Sequence, residues 1–477
     1  MRISWSKDAG RAGAAFLVAL FLLPNPSAWA WEADSTHAGL TEQAALASRL
    51  HRALAQAHGQ SQGLYQVLGI PRGDATKALY QKLGAISPTV GVVPDPRGEQ
   101  AALAWLVAGA VLEDIPPERG RHHFFDPASG LGLTPPKPGF LGAIVSLAKR
   151  LLLGVQVLAS GVPAPSWIEA EKNDLNLDRF WLELELSAAA RTSKERQAHL
   201  ARALIVAGAM LHVLQDVGSP SRARNDLDEH LRPLGGGRTD RGSRFERLAA
   251  LAFGRLGVPA PGTPVRRFHA RDFFISDGQG LAEVTAARWF SSGTLPRTID
   301  LRDAAGSLPG LLTKALRRPA PVVTSVDLRG AESPEGVVIA GPFGACLANA
   351  RKVNMSLEWF LSDACALSQL AVILPTVGSY SAGFLDWLFR GSLTLSPDGS
   401  IRNAGVALGA GVVTLHAEDK EGIRTPLAAP ISIPFGAVSA EIGRFAAPEG
   451  TALVVATFRG LDEAGDAVVA AGTLDLR

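Results

Sequence analysis

The chain has 477 residues, of which 47% are hydrophobic and 19% charged, with 50 Gly and 31 Pro. This is too apolar for a disordered chain and too long for one small domain, so it predicts two or three folded units. The formal charge is +2, and setting aside the 3 basic and 1 acidic residues among the first 30 leaves 44 of each sign. A balanced remainder gives no support to a duplex nucleic-acid binder, which needs a surplus of Lys and Arg against phosphate.

The N-terminus has the layout of an export signal. Arg2, Lys7 and Arg11 form a positive segment, Ala12 to Leu23 is an apolar run of 12 residues, and Pro24 and Pro26 precede Ala28-Trp29-Ala30. That run is too short for a bilayer span, which takes ~20 residues, and A-x-A is a cleavage pattern. Removal of residues 1–30 predicts an exported protein, periplasmic or extracellular, that begins at Trp31.

Residues 31–391 read as a helical domain. Apolar residues recur at helical spacing over Leu40 to Ala57, Ala101 to Leu112, Glu195 to Asp216, Phe245 to Leu256, Leu347 to Ile373 and Ala382 to Phe389. Phe140 to Ala159 is strongly apolar around Lys149 and Arg150. It reads either as an interfacial helix beside a lipid-binding cleft or as a buried hairpin or helix. Pro, Gly and short Val/Ile runs between Leu295 and Gly344 predict a connector with a few strands.

Beyond Gly391 the pattern changes to β-branched runs at Gly411 to Ala417, Ala437 to Ile442, Leu453 to Phe458 and Ala467 to Leu476. Turn residues separate them, which predicts a β-sandwich-like domain over 392–477. The fold class is therefore mostly α, with a small C-terminal β-sandwich. Cys346 and Cys365 are the two cysteines, and in an exported chain they form either a disulfide or a pair of buried thiols.

Three groups of residues carry chemistry. His212 and Asp216 are four apart on the clearest helix, so an imidazole and a carboxylate share one otherwise apolar face, flanked by Ile205, Ala209, Leu211 and Val213. Such a pair suits zinc, or else a buried hydrogen bond that serves packing. Glu113-Asp114 precedes Arg121-His122-His123 across a Pro-Pro break, so a loop can turn His123 back toward Asp114, or leave a solvated polar loop. Trp31 would offer a free α-amine beside His37, and an amine with a pKa near ~8 can deprotonate to bind metal. No G-x-S-x-G elbow, phosphate-binding glycine loop or C-x-x-C is present.

Together these features resemble the superfamily of bacterial zinc-dependent phospholipases C and fungal single-strand-specific nucleases: Trp31, His37, an Asp114-to-His123 loop and His212-x-x-x-Asp216. Exported bacterial relatives of that superfamily also share His123-Phe124-Phe125-Asp126-Pro127, Asn225-Asp226, and the Tyr380-Ser381-Ala382-Gly383 to Phe389-Arg390-Gly391 segment. The resemblance covers Trp31 to about Gly391 and implies a mostly helical, phospholipase C/nuclease-like bundle. It further implies that Asp114, His123, His212 and Asp216 hold one zinc, and that Trp31 and His37 hold a second close to Asp216. It gives Asp114 a second role in orienting water, and a phospholipid or single-stranded nucleic acid as substrate, with membrane-surface contact through 140–159.

The pattern departs at the third zinc. A His belongs six residues after Asp216, and Arg222 stands there instead; His230 and Glu246 are the remaining ligand candidates. An Arg cannot ligate zinc. Arg222 would then replace the cation and pair with a substrate phosphate, or salt-bridge to Glu229 or Asp226 in a degenerate site. The second outcome implies a non-catalytic, metal-stabilised envelope or surface protein.

Overall fold

The computed structural model describes residues 33–134, 160–227, 229, 243–296, 298–300, 321–324, 327–427, 429–433 and 441–477. The expected signal segment 1–30, Trp31, His230 and the apolar stretch 140–159 lie outside the described residues. What is described is a helical part followed by a C-terminal β part.

The helices that position the site are α1 (Ala38–Ala47), α2 (Ala102–Leu112), α3 (Leu177–Ala189), α4 (Ser193–Asp216), α5 (Arg244–Ala252) and α6 (Asp363–Leu388). A two-stranded antiparallel ladder, β1 (Val67–Gly69) with β2 (Glu99–Ala101), lies between α1 and α2 in the chain. α4 starts at a capping box, in which Thr192 Oγ1 accepts from the Glu195 N–H and Glu195 Oε2 accepts from the Thr192 N–H. From Leu200 onward nearly every α4 side chain is buried, and nine of the eleven α2 residues are. Helices apolar on all sides belong at the centre of a bundle.

α2 and α4 touch through glycine. A methyl group on Gly109 would lie 2.0 Å from the Ile205 carbonyl oxygen, and one on Gly208 would lie 1.9 Å from that of Leu106. The two backbones therefore approach as closely as only paired glycines permit.

Two helical expectations fail. Leu40 to Ala57 is broken after Ala47, where the Arg49 N–H donates to Asp386 at 2.6 Å and ties the break to α6. Leu347 to Ile373 is a hairpin before it is a helix: β5 (Cys346–Val353) turns through Asn354 into β6 (Ser356–Phe360), and α6 begins at Asp363. Asn354 has φ 55°, a left-handed conformation that Asn tolerates, and it reverses the chain. β5 and β6 join β3 (Ile299–Asp300) and β4 (Val337–Ala340) in a sheet of order β3-β6-β5-β4. Ser362 caps α6 by accepting from the Cys365 N–H, and α6 runs on through Pro375. Cys346 and Cys365 form a disulfide that ties β5 to the first turn of α6.

The C-terminal strands are β7 (Gly391–Leu395), β8 (Ser400–Asn403), β9 (Leu408–Glu418), β10 (Arg424–Pro426), β11 (Ile431–Ile433), β12 (Glu441–Arg444), β13 (Leu453–Asp462) and β14 (Ala467–Asp475). The expected sandwich is one curled mixed sheet of order β10-β9-β13-β14-β7-β8-β12, with β11 also on β9. The reason lies in β7. Gly391 and Ser392 pair with β14, while Leu393 to Leu395 pair with β8, so one strand carries hydrogen bonding from one half to the other. Leu393, Ile401, Val413, Val454 and Phe458 share the core between the halves. Arg390 fastens the two parts together: its guanidinium lies 4.0 Å from the Trp387 ring centroid and 2.8 Å from buried Asp462.

Replacing Gly208 by Ala is expected to force α2 and α4 apart and to destabilise the fold by about 1–3 kcal/mol. Denaturant melts of the variant against the parent chain test this, and an unchanged midpoint would mean that the contact is not close.

Candidate metal centre

α4 brings the first two residues together. His212 and Asp216 are one turn apart, fully buried, with His212 Nε2 3.3 Å from Asp216 Oδ2. The close approach of α2 supplies the next contact: His212 Nδ1 lies 2.6 Å from the Ala110 carbonyl oxygen, which can only accept. Nδ1 therefore carries the hydrogen and Nε2 the lone pair.

His37 closes a π-helical turn, Ala33–His37, that leads into α1. Its ring stacks on His212 at 3.6 Å between centroids. Gln215 Nε2 donates to Thr41 Oγ1, which turns its Oε1 toward His37 Nδ1 at 2.7 Å. His37 Nδ1 thus donates, and its Nε2 lone pair faces Asp216 Oδ1 at 3.3 Å. Burial, and then the neighbouring His212, lower the His37 pKa.

The result is a set of acceptors aimed at one another. His37 Nε2, His212 Nε2, Asp216 Oδ1 and Asp114 Oδ1 are all buried and none has a hydrogen-bond partner. Asp114 Oδ1 lies 3.5 Å from His212 Nε2. Lone pairs converging without a proton between them repel, at the full desolvation cost of each group. A cation removes that cost, and imidazole nitrogen with carboxylate oxygen is a donor set that suits zinc. The ligand atoms of His37, His212 and Asp216 all lie within 4.8 Å of one another, as do those of Asp114, His123 and His212. His212 belongs to both sets and has one free nitrogen, so it can serve one ion only.

His123 sits differently from the other two imidazoles. Its Nδ1 is 2.7 Å from Asp216 Oδ2 and 3.9 Å from Asp114 Oδ1, and its Nε2 is 3.3 Å from Glu113 Oε1. Burial opposes its charged form, but the hydrogen bonds to Asp216 and Glu113 outweigh burial and raise its pKa to about 9. Without metal, a proton on His123 bridges the two carboxylates. Burial pushes Asp216 up, yet Arg222, His212 and His123 hold it well below the usual carboxylate range. Neighbouring His122 faces away, accepting from the Val162 N–H and stacking on Trp167.

Glu113 is the functional residue that the sequence reading passed over in favour of Asp114. It anchors His123, accepts from Trp167 Nε1 at 2.9 Å, and pairs with Arg119 at 2.6 Å. Gln215 and the Ala110 carbonyl were equally invisible, because a Gln beside an Asp, or a backbone oxygen, carries no sequence signal.

Arg222 and Glu246 lie on the other side of Asp216. Arg222 pairs with neither Glu229 nor Asp226: its Nη1 is 3.7 Å from Asp216 Oδ2 and its Nε 3.6 Å from Glu246 Oε1. Glu229 instead accepts from Ser243 Oγ and the Ser292 N–H, and Asp226 from the Gly293 N–H. Burial raises the Glu246 pKa to about 8, with Arg222 opposing and Asp216 reinforcing.

No family model matches the chain, and no curated protein matches it. Among solved structures it is similar to the alpha toxin of Clostridium absonum, at 12% identity over 94% of this chain and 97% of that one, with a TM-score of 0.25. The alpha-toxin of an avian strain of Clostridium perfringens is similar at 10% identity over 94% and 100%, with a TM-score of 0.22. Likeness at that level carries no argument about the chemistry, which rests on the residues themselves.

Through His123, Glu246 and Glu113 the metal-free chain should be most stable near pH 4.5 and lose stability as pH rises toward about 9. His123 is raised from 6.5 to about 9, so its contribution is full below 6.5 and is lost through 9; Glu246, raised from 4.5 to about 8, loses its contribution across that window. Glu113, held near 2, contributes above its ordinary value and sets the acid limit. Thermal melts in chelator from pH 5 to pH 9 test this, and a flat profile above pH 6.5 would contradict the His123 bridge.

Proposed function

We propose that the chain is an exported zinc-dependent phosphodiester hydrolase of the phospholipase C type, acting on a phospholipid in preference to single-stranded nucleic acid. The observation that carries the reading is the convergence of His37 Nε2, His212 Nε2, Asp216 Oδ1 and Asp114 Oδ1, buried and unpartnered. Bound zinc would supply Lewis acidity, making a water nucleophilic at neutral pH and polarising a phosphoryl oxygen.

The chain's own residues do the rest. Asp114, His123, His212 and Asp216 would hold one ion, and His37 with the Trp31 amine a second beside Asp216. Gln215 and the Ala110 carbonyl keep the two imidazoles in the ligating tautomer. Asp114 is 17% exposed in its side chain, whereas those of His37, His123, His212 and Asp216 are fully buried, so it is placed to orient a water and take its proton. The near-neutral mature charge and the apolar 140–159 segment favour a lipid substrate over a polyanion. The Cys346–Cys365 disulfide and the N-terminal segment favour export.

A second reading is favoured by the burial of every cluster side chain but that of Asp114: a metal-stabilised envelope or surface protein without turnover. Zinc content and hydrolysis of phosphatidylcholine vesicles and single-stranded DNA, measured on secreted protein, separate the two. The hydrolase reading expects a zinc pair per chain, and turnover that falls on the order of 1000-fold or more in His212→Ala and Asp216→Asn. Hydrolysis that persists in a variant lacking zinc would refute it. A chelator that lowers the melting temperature of a chain that hydrolyses nothing would establish the second reading.

A further inference from the structure

Arg222 is fully buried in the turn Pro220–Ala223 that follows α4. Its guanidinium lies 4.5 Å from the centroid of the Phe124 ring, and Nη1 donates to the Gly120 carbonyl oxygen at 3.1 Å. Asp216 from α4 and Glu246 from α5 stand on either side of it, at 3.7 and 3.6 Å. Ser219 Oγ donates to Glu246 Oε1 at 2.9 Å, which fixes that carboxyl against the guanidinium.

Two acidic side chains removed from water need a positive charge close by. A divalent ion or a guanidinium can supply it, and a guanidinium stays charged without ever becoming a ligand. Asp216 divides accordingly. Its Oδ2 faces His123, His212 and Arg222, while its Oδ1 has no hydrogen-bond partner and faces His37. A metal ion on the Glu246 side would lie against a buried cation in a low-dielectric wall, where like charges repel strongly.

We propose that Arg222 is a built-in cation that closes this corner of the site against Asp216, so that Glu246 is its polar neighbour and not a metal ligand. The inference rests on the metal reading above and deepens it, because metal uptake is then confined to the imidazoles of His37, His123 and His212 around Asp216 and excluded from the corner held by Arg222 and Glu246. The wall of the site keeps one positive charge whatever the metal supply. Arg222 is a positioning residue here: it acts through Asp216 and Glu246.

The test is zinc per chain, measured by elemental analysis after dialysis against trace zinc, together with melting temperatures. The parent chain is expected to hold a zinc pair, and Glu246→Gln the same amount. Arg222→Met leaves buried Asp216 without its guanidinium and should melt on the order of 10 °C lower. The double variant Arg222→Met/Glu246→Gln should melt with Arg222→Met, its zinc unchanged. Loss of one zinc in Glu246→Gln, or a third zinc in the parent chain, would overturn the inference and leave the metal reading standing. No zinc in the parent chain removes both, and the parent count alone tells these failures apart.

Discussion

A carboxylate buried at the end of an apolar helix has to be met by positive charge, and Asp216 imposes that demand on everything around it. Its side chain is fully enclosed, and His37, His123, His212 and Arg222 all have nitrogen atoms within 3.7 Å of its oxygens. Two of these imidazoles donate through Nδ1 to groups that accept, which leaves their Nε2 atoms aimed at Asp216 to share a cation with it. His123, His212 and Arg222 all meet Oδ2, and His37 meets Oδ1. One residue thereby stands between imidazoles suited to a metal and a guanidinium that already supplies charge.

The helical packing exists in a form that serves this arrangement. Glycines at 109 and 208 let α2 approach α4 closely enough for the Ala110 carbonyl to meet His212, and an ordinary side chain at either position would separate them. Around the cluster lies a second layer of charge. Glu113 holds His123 and is itself held by Arg119 and Trp167, so the position of a ligand candidate is set by groups that could not reach a metal themselves. Buried polar groups are costly unless satisfied, and these are satisfied in a chain that runs outward to solvent at Asp174.

The remainder of the molecule reaches the site only by fixing these helices. The disulfide binds β5 to α6, and Arg390 binds the end of α6 to the curled sheet through Asp462. The Tyr380 to Gly391 segment, which stood out in the sequence, is thereby accounted for by packing: it is the buried C-terminal half of α6 and the first residue of β7.

Much of this was legible in the residues alone. Periodicity placed α4 within two residues, and the i, i+4 spacing put His212 and Asp216 on one face, because both are properties of a local helix. The Leu347 to Ile373 segment misled, since an apolar run has the same composition in a strand as in a helix and its turn at Asn354 leaves only a weak mark. The tautomers of His37 and His212, the choice of Glu113 as anchor for His123, and the partners of Arg222 were decided by tertiary structure. Each depends on atoms brought together from distant segments, Gln215 against His37 or Glu246 against Arg222. A sequence determines which ligand types a chain can offer; which lone pairs converge on one another, and which charges are already answered, follows only from how the helices close on one another.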